Sequence, residues 1–412
     1  MDSITTGYDW WEYFLIPWIA GLVGYITNVL ALRMVCYPIE FCGLELFRVK
    51  GESWGIIGWQ GVIPTKAEKI ASITFELMTT RLLDTTEIFG RLDPKRFSQV
   101  MDDGVLLMMD NIINEVANEY MPSAWKALPK EVKDEIVTMA ETPVFMEGFM
   151  RDMQEHIEDV VDIKNMTVAA CVKEKHLVVN VFEEVGNKEF IFIRRSGFYF
   201  GFCFGCIQMI IWIFYDGRWI LPVAGFLVGW ITNYLAMKLI FRPIHPTKFL
   251  CWTMQGSFLK RQNEASATFA RVVCVNILHV KAIWNAIFTG PLSKNFFAML
   301  RAHTLIFTEN LIAEIKPLAV AAMGADHFAQ MKEDIATKVV DTIPSIIDQS
   351  YAYTQEALDM ETTIRTKMQA LPAEEFERVL HTGFEEDEIQ LFVIGGILGA
   401  IVGIIQIFTL FA

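Results

Sequence analysis

Two apolar stretches of this chain each carry a hydroxyl beside an amide: Thr27-Asn28 and Thr232-Asn233. Inside a bilayer such groups need partners, because an unpaired polar atom in hydrocarbon is costly. Two chemistries fit. Either the amides bond across a packed helical core, or the four side chains line a polar path for a solute or ion. Neither is acid–base chemistry, since no Asp or Glu stands mid-stretch. The other reactive residues are weaker candidates. Cys203-x2-Cys206 has redox or metal spacing, yet it sits among Phe and Gly and is matched by Ile401 and Ile404 elsewhere, which favours packing. The seven histidines are dispersed, and no nucleophile elbow, HExxH or dinucleotide fingerprint occurs. No enzymatic activity, metal or cofactor is expected.

The two stretches are copies of one another. Residues 17–39 read PWIAGLVGYITNVLALRMVCYPI and residues 222–244 read PVAGFLVGWITNYLAMKLIFRPI, with eleven of 23 positions identical. The identities include Gly24/Gly229, Ala31/Ala236 and Pro38/Pro243. A second apolar pair follows: Gly197-x3-Gly201-x3-Gly205-x2-Gln208 recurs as Gly395-x3-Gly399-x3-Gly403-x2-Gln406, at an offset of 198. Between them Gln60-Gly61 recurs as Gln255-Gly256, DNIINEV (110–116) as ENLIAEI (309–315), and KDEI (133–136) as KEDI (332–335). The duplicated unit is therefore span, soluble segment, span. Two spans per unit make the copies parallel, related by an axis along the membrane normal.

Composition supports membrane insertion. Of 412 residues 53% are hydrophobic and 20% charged, and the mean hydropathy is +0.34. Four stretches, roughly 11–36, 194–214, 219–241 and 389–411, are long enough to cross a hydrocarbon core of about 30 Å, and must do so as helices. The expected fold is mainly α: an integral membrane protein with four transmembrane helices and two tandem-duplicated helical cytoplasmic domains, 37–193 and 242–388. The start, MDSITTGYDWWE, lacks a basic n-region, so the first span reads as a retained anchor. Arg218 is the one basic residue on the side of the termini and the short connection. Arg33, Arg48, Arg194, Arg195, Lys238, Arg242 and Lys248 flank the spans on the other side, which is expected to be cytoplasmic. Seven scattered cysteines fit a reducing compartment. The net charge of −14 argues against nucleic acid as a partner.

The soluble segments read as helices. Phe145, Phe149, Met153, Ile157 and Val160 recur at helical spacing, the stripe of an amphipathic helix that packs in a core, lies on lipid or holds a hydrophobic cargo. Asp93-Pro94 is an N-cap followed by a first-turn proline. Pro122, Pro129, Pro143, Pro317, Pro344 and Pro372 are expected to punctuate the remainder. The run His176–Val185 is compatible with strand or helix. The sequon Asn165-Met166-Thr167 falls in a segment expected to face the cytoplasm.

Small residues must position the amides. Ala20, Gly24, Asn28 and Ala31 share a face of the first span, and Gly225, Gly229, Asn233 and Ala236 share one on the third. Such faces let helix backbones approach closely. Beyond each of these spans comes an elbow, GWQGVIPTKAEKIA (58–71) and TMQGSFLKRQNEAS (253–266). Gln60, Gly61, Pro64 and Lys66 in the first, with Gln255, Gly256, Lys260 and Arg261 in the second, are candidates for docking on anionic headgroups. The proline does not recur, because Leu259 takes its place.

Thr27, Asn28, Leu30, Ala31 and Pro38, then Gln60, Gly61, Ile63 and Pro64, and finally Gly395–Gly403 resemble a bacterial membrane family. It is the domain-of-unknown-function-445 family, the YheB/YjiN-like proteins. Thr65 stands where that pattern has a basic residue, and Lys66 is one step on. The resemblance implies a bacterial inner-membrane protein and no particular activity. The leading expectation is a non-enzymatic membrane-anchored scaffold or lipid-handling protein, in contact with the lipid bilayer and its anionic lipids, and working as a homo-oligomer or with a partner protein. The alternative is a small-solute or ion transporter or channel built from two parallel repeats.

Overall fold

Residues four apart divide the first long helix, Trp10–Cys36, into two faces. Phe14, Trp18, Leu22, Ile26 and Leu30 are exposed, whereas Ala20, Thr27, Asn28, Ala31 and Val35 are buried. The last helix, Glu388–Thr409, repeats the device with Ile389, Val393, Ile397, Ile401 and Ile405 outward. An outward apolar stripe on a helix whose backbone bonds are internal is a surface for lipid. A computed structural model describes residues 10–44, 53–55, 57–140, 144–214, 217, 219–249, 252–313, 320, 323–381 and 388–409. The described residues are mainly α-helical. Among the described residues four helices are long and apolar enough to span: Phe14–Cys36, Asn187–Ile211, Ile220–Phe241 and Glu388–Ile405. A further pair, Gln262–Asn276 with Val280–Thr289, qualifies only if joined, and it bends by 48° at the break. The protein is thus a helical membrane protein with four spans. The second helix starts at Asn187, earlier than hydropathy suggests, because its first turn carries Glu189.

Two compact units form, and both draw on both copies of the repeat. One comprises Met1–Leu77, Val168–Val273 and Ile364–Ala412, and the other Met78–Thr167 and Cys274–Thr363. The boundary therefore runs through each copy's soluble segment rather than between copies. In the first unit the four spans meet as a bundle, the first pairing with the second and the third with the fourth. Each corner after an odd-numbered span carries short antiparallel strands. Ile57–Trp59 pairs with Cys42–Leu44 and with Trp54–Gly55, and Thr247–Phe249 pairs with Trp252–Met254. Residues 176–185 form a helix, burying Leu177, Val178, Val181, Phe182 and Val185.

In the second unit, helix Pro94–Tyr120 packs on Ala325–Ile346, and Val144–Glu155 on Ser293–Leu311. Asp93 caps the first of these by accepting from Lys95 N, as its position before Pro94 predicts. The stripe Phe145, Phe149, Met153, Ile157 and Val160 is buried, so its apolar face is spent on this core. Phe97 and Phe296, at matching places in the two copies, are both fully buried. Pro122 opens a helix and Pro372 directly precedes another. Pro344 instead lies inside Ala325–Ile346, three residues before the chain tightens into the 3-10 turn Ile347–Ser350. There it forfeits one i−4 bond in the last turn of the α-helix, where the regular ladder is about to end. Pro143 and Pro317 lie outside the described residues.

Candidate functional site

Close backbone approach places the intramembrane amides. A Cβ on Gly24 would overlap the Gly197 carbonyl, and Gly229 and Gly395 oppose each other in the same way, as do Gly225 and Gly399. Gly201 and Gly205 face Ala20 and Pro17, and Gly403 faces Leu221 and Pro222. Asn28 Nδ2 donates to Ile193 O at 2.7 Å, and Asn233 Nδ2 to Leu391 O at 3.1 Å. Ile193 and Leu391 each precede a ladder glycine by four residues, and a Cβ on Gly197 would stand 2.6 Å from Asn28 Nδ2. The glycine is what admits the amide. Thr27 and Thr232 donate to Gly24 O and Gly229 O in their own helices, at 3.1 and 3.2 Å. The four polar side chains are buried, and each amide donates within its own pair of spans. Asn28 Oδ1 is buried without a hydrogen-bond partner.

The elbow residues serve the corners. Gln60 Nε2 donates to Ile39 O at 2.7 Å, and Gln255 Nε2 to Ile244 O at 3.2 Å. Gly61 N reaches Pro38 O and Gly256 N reaches Pro243 O, at 2.9 and 3.0 Å. A Cβ on Gly61 would stand 2.8 Å from the Cys36 carbonyl carbon, and one on Gly256 would stand 2.6 Å from Ile240 O. The Tyr37-Pro38 and Arg242-Pro243 bonds are cis. The Gln-Gly pair thus clips the chain back onto the end of the preceding span, and Pro64 and Leu259 are both buried behind it.

The elbow cations are not equivalent. Lys260 is exposed and Lys66 half-buried. Arg261 turns inward instead, with Nη1 at 2.6 and 2.7 Å from the two carboxylate oxygens of Glu189. Glu189 is 3% exposed, so a buried carboxylate meets a partly buried guanidinium, and the pair joins the second copy's elbow to the first copy's second span. Arg261 also bonds Glu264 at 3.1 Å, and Lys188 reaches Glu264 at 2.5 Å. Arg261 and then Lys188 hold the Glu264 carboxyl down at about 2.

Two spaces open where the first two spans emerge. An apolar chamber of about 50 Å³ lies among Leu32, Val35, Ile193, Met237, Ile240 and Leu391, with Glu189 on its wall. Beside it, sharing Leu32 and Phe190, is a groove of about 1280 Å³. Val29, Leu30 and Phe190 give the groove an apolar side, and Arg33, Arg194, Tyr37, Trp59, Glu183 and Glu184 give it a polar one. Both carboxylates are engaged, Glu183 by Tyr37 Oη at 3.1 Å and Glu184 by Arg271 at 2.7 Å. Burial and the bond to Glu183 raise the Tyr37 hydroxyl above its usual range. Trp59 Nε1 donates to Met34 O at 2.9 Å. Arg194 Nε is held by Phe190 O at 3.2 Å. Neither Arg33 nor Arg194 pairs with a carboxylate among the described residues.

In sequence, these two arginines stand out only as markers of topology. Their shared groove was invisible because they lie on different spans. Cys203 is exposed and Cys206 half-buried on the second span, and both are free thiols. Among the described residues no group of three or more His, Cys, Asp or Glu side chains is placed to hold a metal ion. No protein-family model, curated protein or solved structure matches the chain.

Proposed function

We propose that the protein is a non-enzymatic membrane-anchored scaffold that handles lipid where its spans leave the bilayer. The observation that carries this reading is the wide groove at the end of the first span, apolar on one side and polar on the other, where Arg33 and Arg194 stand. Its floor is continuous with the outward stripe that ends at Leu30, so an amphiphile entering from the bilayer keeps its chains in an apolar setting. The burial of Thr27, Asn28, Thr232 and Asn233 supports a packing role for the recurring polar residues. The excess of Lys and Arg beside the spans supports placing the large segments in the cytoplasm. The test is lipid extraction from the purified protein together with transfer of a fluorescent phospholipid between vesicles. The proposal expects co-purifying phospholipid above the detergent background. Absence of both bound lipid and transfer overturns it.

A second reading, a transporter or channel of two parallel repeats, is favoured by one atom, the unpartnered Asn28 Oδ1. It expects solute or ion flux in reconstituted vesicles that Asn28→Leu with Asn233→Leu abolishes while leaving the fold intact.

A further inference from the structure

The two copies agree closely in the residues that build corners and helix contacts, and they part company at the groove. Arg33 is matched by Lys238, whose ammonium is 2.9 Å from Tyr234 Oη. Arg194 is matched by Phe392, which packs edge-on against Trp230 and Tyr234 with ring centroids 6.1 and 5.6 Å apart. Where the first copy presents two guanidinium groups, the second therefore presents one tethered ammonium and an aromatic cluster. The first copy has an open groove carrying two arginines there, and in the second Phe392 packs on Trp230 and Tyr234.

Resting on the lipid-handling reading, we infer that the first copy's groove is a site for an anionic membrane phospholipid, its phosphate held by Arg33 and Arg194. Four observations support it. Both guanidinium groups line one groove, and neither is neutralised by a carboxylate among the described residues. Of the two carboxylates that share the groove, Glu184 is paired with Arg271 and Glu183 accepts from Tyr37, so neither is bonded to Arg33 or Arg194. Guanidinium groups present forked donors that suit phosphate oxygens, and near the interface their charge is only partly screened. Below Arg33 the exposed Leu30, Ile26 and Leu22 continue into the span as a track for acyl chains. Arg33 stands in the last turn of the first span, and Tyr37 and Trp59, residue types that favour membrane interfaces, line the same groove. The site is specified by what the repeat does not share, so one lipid per chain is expected.

The test is native mass spectrometry of the full-length protein in detergent, titrated with phosphatidylglycerol and with phosphatidylcholine of the same acyl chains. The expected result is one tightly retained phosphatidylglycerol, preferred at least about tenfold over phosphatidylcholine. Arg33→Gln with Arg194→Gln brings the preference down to parity. Lys238→Gln, at the matching place in the other copy, leaves it unchanged. Should the double variant fail to fold, the wild-type protein still decides the matter. Its preference collapses between low salt and about 1 M, where the Debye length is about 3 Å. Equal retention of the two lipids by the wild type, a preference that survives in the double variant, or one indifferent to salt overturns the anionic site while leaving lipid handling in place. Retention of neither lipid overturns the lipid-handling reading itself.

Discussion

Arg261 holds both carboxylate oxygens of Glu189, and the two residues come from different copies of the repeat. The pair sits at the foot of the second span and forms part of the wall of the apolar chamber through Glu189. A duplicated chain needs something besides apolar packing to fix how its halves meet, and a buried ion pair sets orientation more than it adds stability.

Breaking that pair from one side is therefore expected to be worse than removing it. Arg261→Met leaves a buried carboxylate unpaired and costs about 3 kcal/mol or more, whereas Arg261→Met with Glu189→Leu recovers most of the loss. Thermal unfolding in detergent, run as a double-mutant cycle, measures this. Equal losses in the single and double variants contradict it.

The pH dependence of the neighbouring Glu264 follows from its lowered pKa. Arg261 and Lys188 draw it from 4.5 to about 2. A carboxyl lowered on folding contributes stability above its unfolded pKa and loses it as pH falls through the folded one. Glu264→Gln is accordingly expected to lower the unfolding midpoint at neutral pH. The gap to wild type narrows below about pH 4.5 and closes near pH 2. A gap independent of pH contradicts the assignment.

The intramembrane amides act separately. Asn28→Leu and Asn233→Leu each forfeit one bond to a helix carbonyl, worth about 0.6 kcal/mol and at most about 1.7 within a bilayer. They share no partner, so the double variant is expected to add the two losses within about 0.5 kcal/mol. Helix association measured by steric trapping or by unfolding in mixed micelles reads this out. A coupling energy above about 1 kcal/mol means that the amides meet across the bundle instead.

Thiol chemistry separates buried from open cysteines. Burial pushes the Cys171 and Cys274 thiols up to about 12, and Cys42 is exposed in a short strand outside the spans. With maleimide at neutral pH, Cys42 is expected to label quickly, while Cys171 and Cys274 label only after denaturation. Labelling of Cys274 at the rate of Cys42 in the folded protein contradicts the packing around it.

The duplication was legible because close helix approach tolerates few residue types. Gly24, Gly197, Gly229 and Gly395 each meet a backbone that a Cβ would overlap, and each is visible as a repeated glycine. Four spans follow from hydropathy for the same reason, since lipid-facing and bundle-facing positions are both apolar. The elbow reads differently in sequence and in structure. Gln60-Gly61 and Gln255-Gly256 look like surface elements beside basic residues, but they are clips for a chain reversal, and the carbonyls they bind, Ile39 and Ile244, carry no side-chain signature. The Glu189–Arg261 pair and the Arg33–Arg194 groove both span large sequence separations. No periodicity marks them, so only the folded arrangement shows which charges are spent and which are free.

The most direct measurement is photo-cross-linking in membranes containing a phosphatidylglycerol that carries a headgroup-proximal diazirine, followed by peptide mapping. Cross-links are expected to concentrate on residues 29–39 and 183–194 and to fall sharply in Arg33→Gln with Arg194→Gln. Cross-links of equal strength on the matching residues 234–244, or spread evenly over all four spans, contradict the anionic site.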